Sequence, residues 1–225
     1  MIEENSSDIE NELAKLGYWN NIYSTNDYFG TGPTILAKLA HNILQKHAFK
    51  SILELGCGQG RDCLFFAELN YDVVAIDISQ NAIDFVKSLK NEKNLKNLEL
   101  HTSDISEPMK FLNKKFELVY SNLALQFFNL SQLENIFLTV SNLMNSDSLF
   151  LFSTKKEGDK YFNFGNKIND NSFEYKGITR FFFKENEIKQ SLENFFDIIS
   201  FDDDEHVNTD DTKSVWWKIL VKKKL

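Results

Sequence analysis

Three glycines alternate in the segment L-E-L-G-C-G-Q-G-R-D at residues 53–62. They are Gly56, Gly58 and Gly60, and they stand between an apolar strand-like run and a helix-like run. Glycine lets a backbone turn tightly and approach a ligand closely. The free amide groups at the start of the following helix would face the same ligand and favour an anionic or polar group. The segment predicts a loop for a nucleotide-like ligand, and the alternative is a structural turn that binds nothing.

The spacing of the glycines narrows the choice of ligand. A dinucleotide loop has the order G-x-G-x-x-G, and this sequence has Arg61 where the last glycine of that pattern would fall. Asp77 follows the loop by about twenty residues and ends the next strand-like run, where a carboxylate can accept both hydrogen bonds of a ribose diol. A carboxylate at a strand end is also a common helix cap, so Asp77 alone leaves both roles open.

The loop must be positioned by the elements around it, which alternate between strand-like and helix-like patterns. Ser131 is predicted to cap the helix that precedes the fifth strand. Strands that alternate with helices predict a parallel sheet covered on both faces, with ligands at the carboxyl ends of its strands. The five predicted strands are residues 51–55, 72–76, 98–101, 116–120 and 148–153.

Both ends of the chain depart from this alternation. Two helices are predicted ahead of the first strand, at residues 8–23 and 34–46. Near the other end, strands at 195–201 and 214–221 follow one another with only the acidic residues 202–211 between them, which predicts an antiparallel hairpin at the sheet edge. We therefore expect a single domain over residues 1–225, with N-terminal helices and lid at 1–48, a core at 49–154, and a helix and strand pair at 155–225.

The segment E-L-G-C-G-Q-G-R-D resembles motif I of class I S-adenosylmethionine-dependent methyltransferases, and V-V-A-I-D-I-S resembles their motif II. The resemblance covers residues 51–154 and implies a Rossmann-like, doubly wound α/β sheet of seven strands in the order 3-2-1-4-5-7-6, with strand 7 antiparallel. It implies S-adenosylmethionine as cofactor and S-adenosylhomocysteine as product. The cofactor-binding residues that it implies are Glu54, Gly56, Gly58, Gly60, Asp77, Ile78, Asp104, Ile105, Asn122 and Leu123. Asp104 also suits a simple Asx turn.

The sequence is less specific about the molecule that accepts the methyl group. Residues 18–33 and the tail resemble tellurite-resistance and thiopurine-type small-molecule methyltransferases, in which an N-terminal segment folds over the cofactor as a lid. The string S-N-L-A-L-Q at 121–126 resembles the malonyl-thioester methyltransferases of biotin synthesis. Tyr23, Tyr28 and Gln126 are the candidates to orient the acceptor. Trp19 and Tyr23 equally suit the buried stripe of a helix, and the phenylalanines at 181–183 suit either an acceptor pocket or the core.

Composition bears on the remaining classes of function. The net charge is −8 with dispersed lysines, which argues against a nucleic-acid partner. No apolar run approaches the roughly 20 residues of a spanning helix, and the acidic N-terminus lacks a signal-peptide pattern. Cys57 and Cys63 match no disulfide framework, and the acids at 202–205 suit a solvated loop better than a metal site.

We therefore expect a cytoplasmic enzyme that acts on a small-molecule substrate, with no membrane partner and no metal. The sequence leaves the oligomeric state open. Two other functions also stay open: a methyltransferase of a carrier-bound or protein-bound acid, and a non-catalytic protein that binds S-adenosylmethionine.

Overall fold

A computed structural model describes residues 6–25 and 30–224, with side chains from Ala14 onward in the first helix. The helices are α1 (Ser6–Ile22), α2 (Ile35–His47), α3 (Arg61–Glu68), α4 (Gln80–Glu92), α5 (Leu130–Asn142) and α6 (Glu185–Leu192). The first five strands are β1 (Ser51–Leu55), β2 (Asp72–Asp77), β3 (Leu98–Thr102), β4 (Phe116–Asn122) and β5 (Met144–Lys155). The other strands are β6 (Asn166–Asn169), β7 (Ser172–Tyr175), β8 (Ile178–Phe181), β9 (Phe196–Val207) and β10 (Lys213–Lys223).

Seven of these strands form one sheet in the order β3-β2-β1-β4-β5-β10-β9. The pairs from β3 to β5 are parallel, and β10 runs antiparallel to both β5 and β9. This order and the antiparallel strand confirm the Rossmann-like α/β prediction. The strand order reverses between β1 and β4, so the carboxyl ends of these strands border the crevice where such sheets bind ligands.

The sheet separates two hydrophobic cores because side chains alternate along each strand. On β5, Phe150 and Phe152 lie in the core beneath α5, where the ring of Phe137 is 5.7 Å from that of Phe152. Leu149 and Leu151 lie in the opposite core with residues of α2 and α3. Among the described residues, none of the helices is long and apolar enough to cross a membrane.

Three features of the chain differ from the sequence prediction. The polar stretch after β5 contains a second antiparallel sheet in the order β6-β7-β8. The acids at 202–205 lie on β9 and not in a loop, because this stretch pairs with the backbone of β10; Lys218 of β10 lies 3.7 Å from Asp204. Helix α5 is capped by Asn129, whose side chain accepts from the Gln132 amide at 2.9 Å, and not by Ser131.

Candidate functional site

A cavity of about 460 Å³ lies at the carboxyl ends of β1, β2 and β4 and extends to α1 and β8. This volume is typical of small-molecule sites. Gly60 does not line the cavity, and Tyr28 lies outside the described residues. The predicted site residues that do line it are Tyr23, Glu54, Gly56, Gly58, Asp77, Ile78, Asp104, Ile105, Asn122, Leu123 and Gln126.

The backbone conformation of the glycine loop and its close contacts with neighbouring side chains exclude larger residues. Gly56 has φ +73°, and a Cβ there would lie 2.4 Å from the Cβ of Ala124. Gly58 has φ +52°, and a Cβ there would lie 2.8 Å from the hydroxyl of Tyr23. Side chains at these positions would also enter sparsely allowed backbone conformations. The missing side chains therefore let Ala124 and Tyr23 pack closely against the loop, and Gly56 and Gly58 line the cavity.

Asp77 joins the end of β2 to the glycine loop. Its Oδ2 accepts from the Gly58 amide at 2.8 Å, and its Oδ1 accepts from the Ser79 amide at 2.9 Å. Ser79, not Asp77, caps α4, since its hydroxyl accepts from the Ala82 amide at 3.2 Å. Burial raises the pKa of Asp77 to about 6, although the backbone donors pull it down. The remaining lone pairs of this carboxylate are available to donors in the cavity.

Glu54 ends inside the wall of the cavity with an unmatched oxygen. The residue is 3% exposed, and its Oε2 has no hydrogen-bond partner among the described residues. Burial, followed by the charges of Cys63 and Asp62, holds the pKa of Glu54 well above its usual range. Leaving a buried carboxyl group unpaired is costly, so the position suits a ligand that brings a cation or a donor.

Helix α1 covers this end of the cavity. The rings of Trp19 and Tyr23 stack with centroids 5.7 Å apart, and both line the cavity. Ser79 donates to Asn20 Oδ1 at 2.7 Å, which fastens the helix to the start of α4. Burial, assisted by the charge of Asp77, raises the pKa of Tyr23, so its hydroxyl stays protonated and can donate. The stripe of α1 is thus buried against the cavity and not in the core.

Asp104 forms the Asx turn that its sequence allowed and also lines the cavity, while its role in cofactor binding stays a prediction. Its Oδ1 accepts from the Ser106 amide at 2.8 Å, which forms the Asx turn. Its Oδ2 lies 3.4 Å from Lys15 Nζ of α1, and the residue lines the cavity. This ion pair gives α1 a second connection to the sheet.

The turn after β4 forms the opposite wall. Leu123 adopts φ +53°, an uncommon conformation for a non-glycine residue, and its amide donates to Ser153 at 3.0 Å. Gln126 donates from Nε2 to the Leu123 carbonyl, while its Oε1 is buried without a partner among the described residues. Leu125 is fully buried in the core, whereas Phe127 lines the cavity. The turn therefore leaves the side-chain amide oxygen of Gln126 buried in the wall of the cavity.

Asp62 is a site residue that the sequence analysis did not single out. Its carboxylate accepts from the amide and the hydroxyl of Thr34, both at 2.8 Å, and from the hydroxyl of Tyr120 at 2.6 Å. These bonds tie together the starts of α2 and α3 and the strand β4 beneath the loop. The proximity of Asp62 to the glycines was visible in the sequence, but its partners lie 28 and 58 residues away.

The far end of the cavity carries cations, which the sequence analysis also missed. Lys155, Lys160 and Arg180 line it. The chain has only two arginines, Arg61 and Arg180, and both line the cavity, a compositional signal that was available. The neighbouring phenylalanines do not form an acceptor pocket, because Phe182 and Phe183 are each 1% exposed within the core.

Comparison with known protein families gives one match that covers most of the chain. The profile of a family described as a methyltransferase domain matches residues 46–198. The matched segment includes the glycine loop, Asp77 and β8.

Two related sequences match shorter segments. TehB of Haemophilus influenzae, described as a probable S-adenosyl-L-methionine-dependent methyltransferase, is 32% identical over 85 residues, or 38% of this chain and 29% of TehB. The malonyl-[acyl-carrier protein] O-methyltransferase of Acetivibrio thermocellus is 34% identical over 112 residues, or 46% of this chain and 35% of that enzyme. The chain therefore spans about a third of the length of these relatives.

Solved structures share the fold over more of the chain. TehB from Haemophilus influenzae superposes with a TM-score of 0.65 at 19% identity, covering 93% of this chain and 67% of that one. The Burkholderia thailandensis 1,6-didemethyltoxoflavin-N1-methyltransferase, solved with 1,6-didemethyltoxoflavin and S-adenosylhomocysteine, gives 0.70 at 16% identity, covering 96% and 90%. At these identities the likeness shows the fold alone.

Proposed function

The chain belongs to the methyltransferase-domain family, and on that premise we propose that it transfers the methyl group of S-adenosylmethionine to a small-molecule acceptor. The observation that carries the proposal is the convergence of the glycine loop, the Asp77 carboxylate and the unpaired Glu54 oxygen on one cavity. A nucleoside with a ribose diol and a cationic amino-acid tail matches this set of groups. The Burkholderia enzyme of the same fold, solved with a small molecule and S-adenosylhomocysteine, supports the assignment.

The residues of the cofactor half each have a defined task in this proposal. Asp77 accepts hydrogen bonds from the ribose, and Glu54 accepts from the ammonium group of the amino-acid tail. The backbone at Gly56 and Gly58 leaves space for the ligand. When bound, S-adenosylmethionine supplies an electrophilic methyl group on a sulfonium centre.

The other residues of the cavity position the acceptor and exclude water. Methyl transfer is an in-line displacement, so orientation and desolvation contribute most of the rate. Trp19 and Tyr23 of α1 cover the cavity, and the Tyr23 hydroxyl and the Gln126 Oε1 are placed to hold polar groups of the acceptor.

The experiment that tests this function measures S-adenosylmethionine binding by calorimetry and S-adenosylhomocysteine formation over thiols, amines, hydroxyls and metalloid oxyanions. Asp77→Asn should weaken binding by about 1–3 kcal/mol because charge-assisted hydrogen bonds are lost. The matched control is Asp72→Asn, an exposed carboxylate at the other end of the same strand, which should leave binding unchanged. Equal affinity of both variants, or no retention of the cofactor by the folded wild type, would contradict the proposal.

The two alternatives from the sequence have less support. A non-catalytic binding protein would retain the cofactor in calorimetry but form no S-adenosylhomocysteine with any acceptor of the panel. A carrier-bound acid is disfavoured because the chain has a net charge of −8, which opposes docking of an acidic carrier. A screen against malonyl thioesters distinguishes that acceptor.

A further inference from the structure

Side chains of both charges line the cavity, and one pair of them, Lys15 and Asp104, lies at 3.4 Å. Glu54, Asp77 and Asp104 lie at the end formed by β1 and β2, whereas Lys155, Lys160 and Arg180 lie at the end formed by β5 and β8. The three cations are close enough to influence one another. Burial lowers the pKa of Lys155, Asp159 opposes this effect, and the positive charges of Lys160 and Arg180 add to the lowering.

Arg180 and Lys160 have no carboxylate partner among the described side chains, whereas Lys155 has one. Lys155 is paired with the buried Asp159, and the next lysine along the chain, Lys156, is paired with Asp203 at 2.9 Å. The hydrogen bond of Arg180 goes to the hydroxyl of Tyr18 at 3.4 Å. A guanidinium has five donors, so this side chain is left with donors and a full charge for a ligand.

Aromatic rings define the shape of the space around Arg180. Its guanidinium carbon lies 4.9 Å from the ring centroid of Tyr161 and 5.6 Å from that of Phe127. The edge of the Trp19 ring contacts Phe127, with centroids 4.9 Å apart. These walls favour a flat organic molecule over a small inorganic ion, because stacking area is available beside the charge.

The same rings connect the glycine loop to Arg180. A row of contacts runs from Tyr23, which faces Gly58, through Trp19 and Phe127 to Arg180, with steps of 5.7, 4.9 and 5.6 Å. The rings of Trp19 and Phe127 are the members of this row between Tyr23 and Arg180. A carboxylate whose lone pairs are engaged by a guanidinium is also a poor nucleophile.

From this arrangement we propose that the acceptor is a small, flat organic carboxylate, that Arg180 binds its carboxylate as an anchor, and that the methyl group is transferred to a different atom. This inference rests on the proposed methyltransferase function and names the substrate class of the same cavity. Arg180 is in this view a substrate-binding residue that the sheet β6-β7-β8 supplies. This role also explains why that sheet lies against the cavity.

The test uses the full chain saturated with S-adenosylhomocysteine and measures binding of benzoate, benzamide and inorganic phosphate by calorimetry. Benzoate should bind at least about tenfold more tightly than benzamide, because a charge-assisted hydrogen bond strengthens binding over a neutral one by about this factor. Arg180→Met should remove that preference, and Arg180→Lys should retain part of it. Lys87→Met, an exposed lysine on α4, is the matched control and should behave as the wild type.

The outcomes separate this inference from the proposed function. Equal binding of benzoate and benzamide, absence of benzoate binding, tighter binding of phosphate, or a preference that survives in Arg180→Met would each overturn the carboxylate anchor. A loss of S-adenosylhomocysteine affinity in Arg180→Met would assign the arginine to the cofactor instead. Failure of the wild type to retain S-adenosylhomocysteine would overturn the proposed function, whatever benzoate does. The comparison of benzoate with benzamide on the wild type does not depend on the folding of any variant.

Discussion

Asp77 and Glu54 are buried carboxyl groups, and the protein stabilises their ionised forms only in part. Asp77 has two backbone donors, and Glu54 has an oxygen with no partner among the described residues. Burial raises the pKa of both. In the proposed complex, donors and positive charge from the ligand complete their hydrogen bonding, so ligand binding and ionisation are coupled.

This coupling predicts the pH dependence of cofactor binding. The pKa of Asp77 is raised to about 6 in the ligand-free protein, and a ribose that donates to the carboxylate lowers it. Affinity for S-adenosylhomocysteine should therefore rise as pH increases through 6 and level off above, with a gain of about tenfold between pH 5 and pH 7.5 for a shift of two units. Calorimetry in buffers of different ionisation enthalpy should detect proton release near pH 6.

Asp77→Asn supplies the control for that titration. The amide does not ionise, so its residual binding should show a weaker pH dependence than the wild type. The same linkage predicts that the ligand-free protein loses the stabilising effect of a protonated Asp77 as pH rises through 6. A flat affinity profile in the wild type would contradict the assignment of Asp77 to the ribose.

At the scale of elements, the site depends on contacts between segments far apart in the chain. Asp62 at the start of α3 accepts from Thr34 at the start of α2 and from Tyr120 in β4. Thr34 also caps α2 by accepting from the Ala37 amide at 3.1 Å. Two helix starts and a central strand are therefore joined through one carboxylate that is 3% exposed.

Tyr120→Phe tests this junction. Removing the hydroxyl leaves the buried Asp62 carboxylate with one donor fewer, and we expect the free energy of unfolding to fall by about 1–3 kcal/mol in urea denaturation. Tyr175→Phe, at an exposed position on β7, is the control and should change stability by less than about 0.5 kcal/mol. Similar values for the two variants would show that the junction does not contribute to stability.

At the scale of the whole molecule, the cavity is shared by parts of the chain that are separated by up to 199 residues, since Lys15 and Ser214 both line it. Helix α1 closes one side and β8 closes another, while the glycine loop forms the floor. A ligand that fills the cavity contacts α1, β8 and the loop, and its binding should reduce the local unfolding of each of them.

Hydrogen exchange should reveal this shared closure. Addition of S-adenosylhomocysteine should slow amide exchange in the loop at 56–60 and in α1 near Trp19. With a bound carboxylate added, protection should extend to Ile178–Phe181 in β8. Exchange in the turn at 208–212 between β9 and β10 is the internal control and should be unchanged. Protection confined to the loop would show that α1 is not a lid.

Several predictions about the whole chain remain predictions. These are the division into lid, core and tail at residues 48 and 154, the cytoplasmic location, and the lack of a nucleic-acid partner. They rest on amino-acid composition and sequence pattern, which describe the chain itself and not its location or its partners.

The sequence by itself determined the strands of the parallel sheet, the glycine loop and the position of Asp77, because these depend on local patterns: glycine spacing, apolar runs and the residue that ends a strand. The order of the strands came from the resemblance to class I methyltransferases, and the structure confirms it. The sequence also brought forward eleven of the residues that line the cavity. It left open whether Asp77 was a helix cap, and the structure gives the capping position of α4 to Ser79.

Tertiary structure alone decided the remaining features, because each depends on pairing between distant residues. The acids of β9 form a strand because their backbone pairs with that of β10 in an antiparallel register. Arg180 becomes a site residue only because a small sheet that no local pattern marked turns it toward Tyr18 and Phe127. Local spacing indicates which ligand the loop suits, but the charge and shape of the acceptor end arise from contacts made across the whole fold.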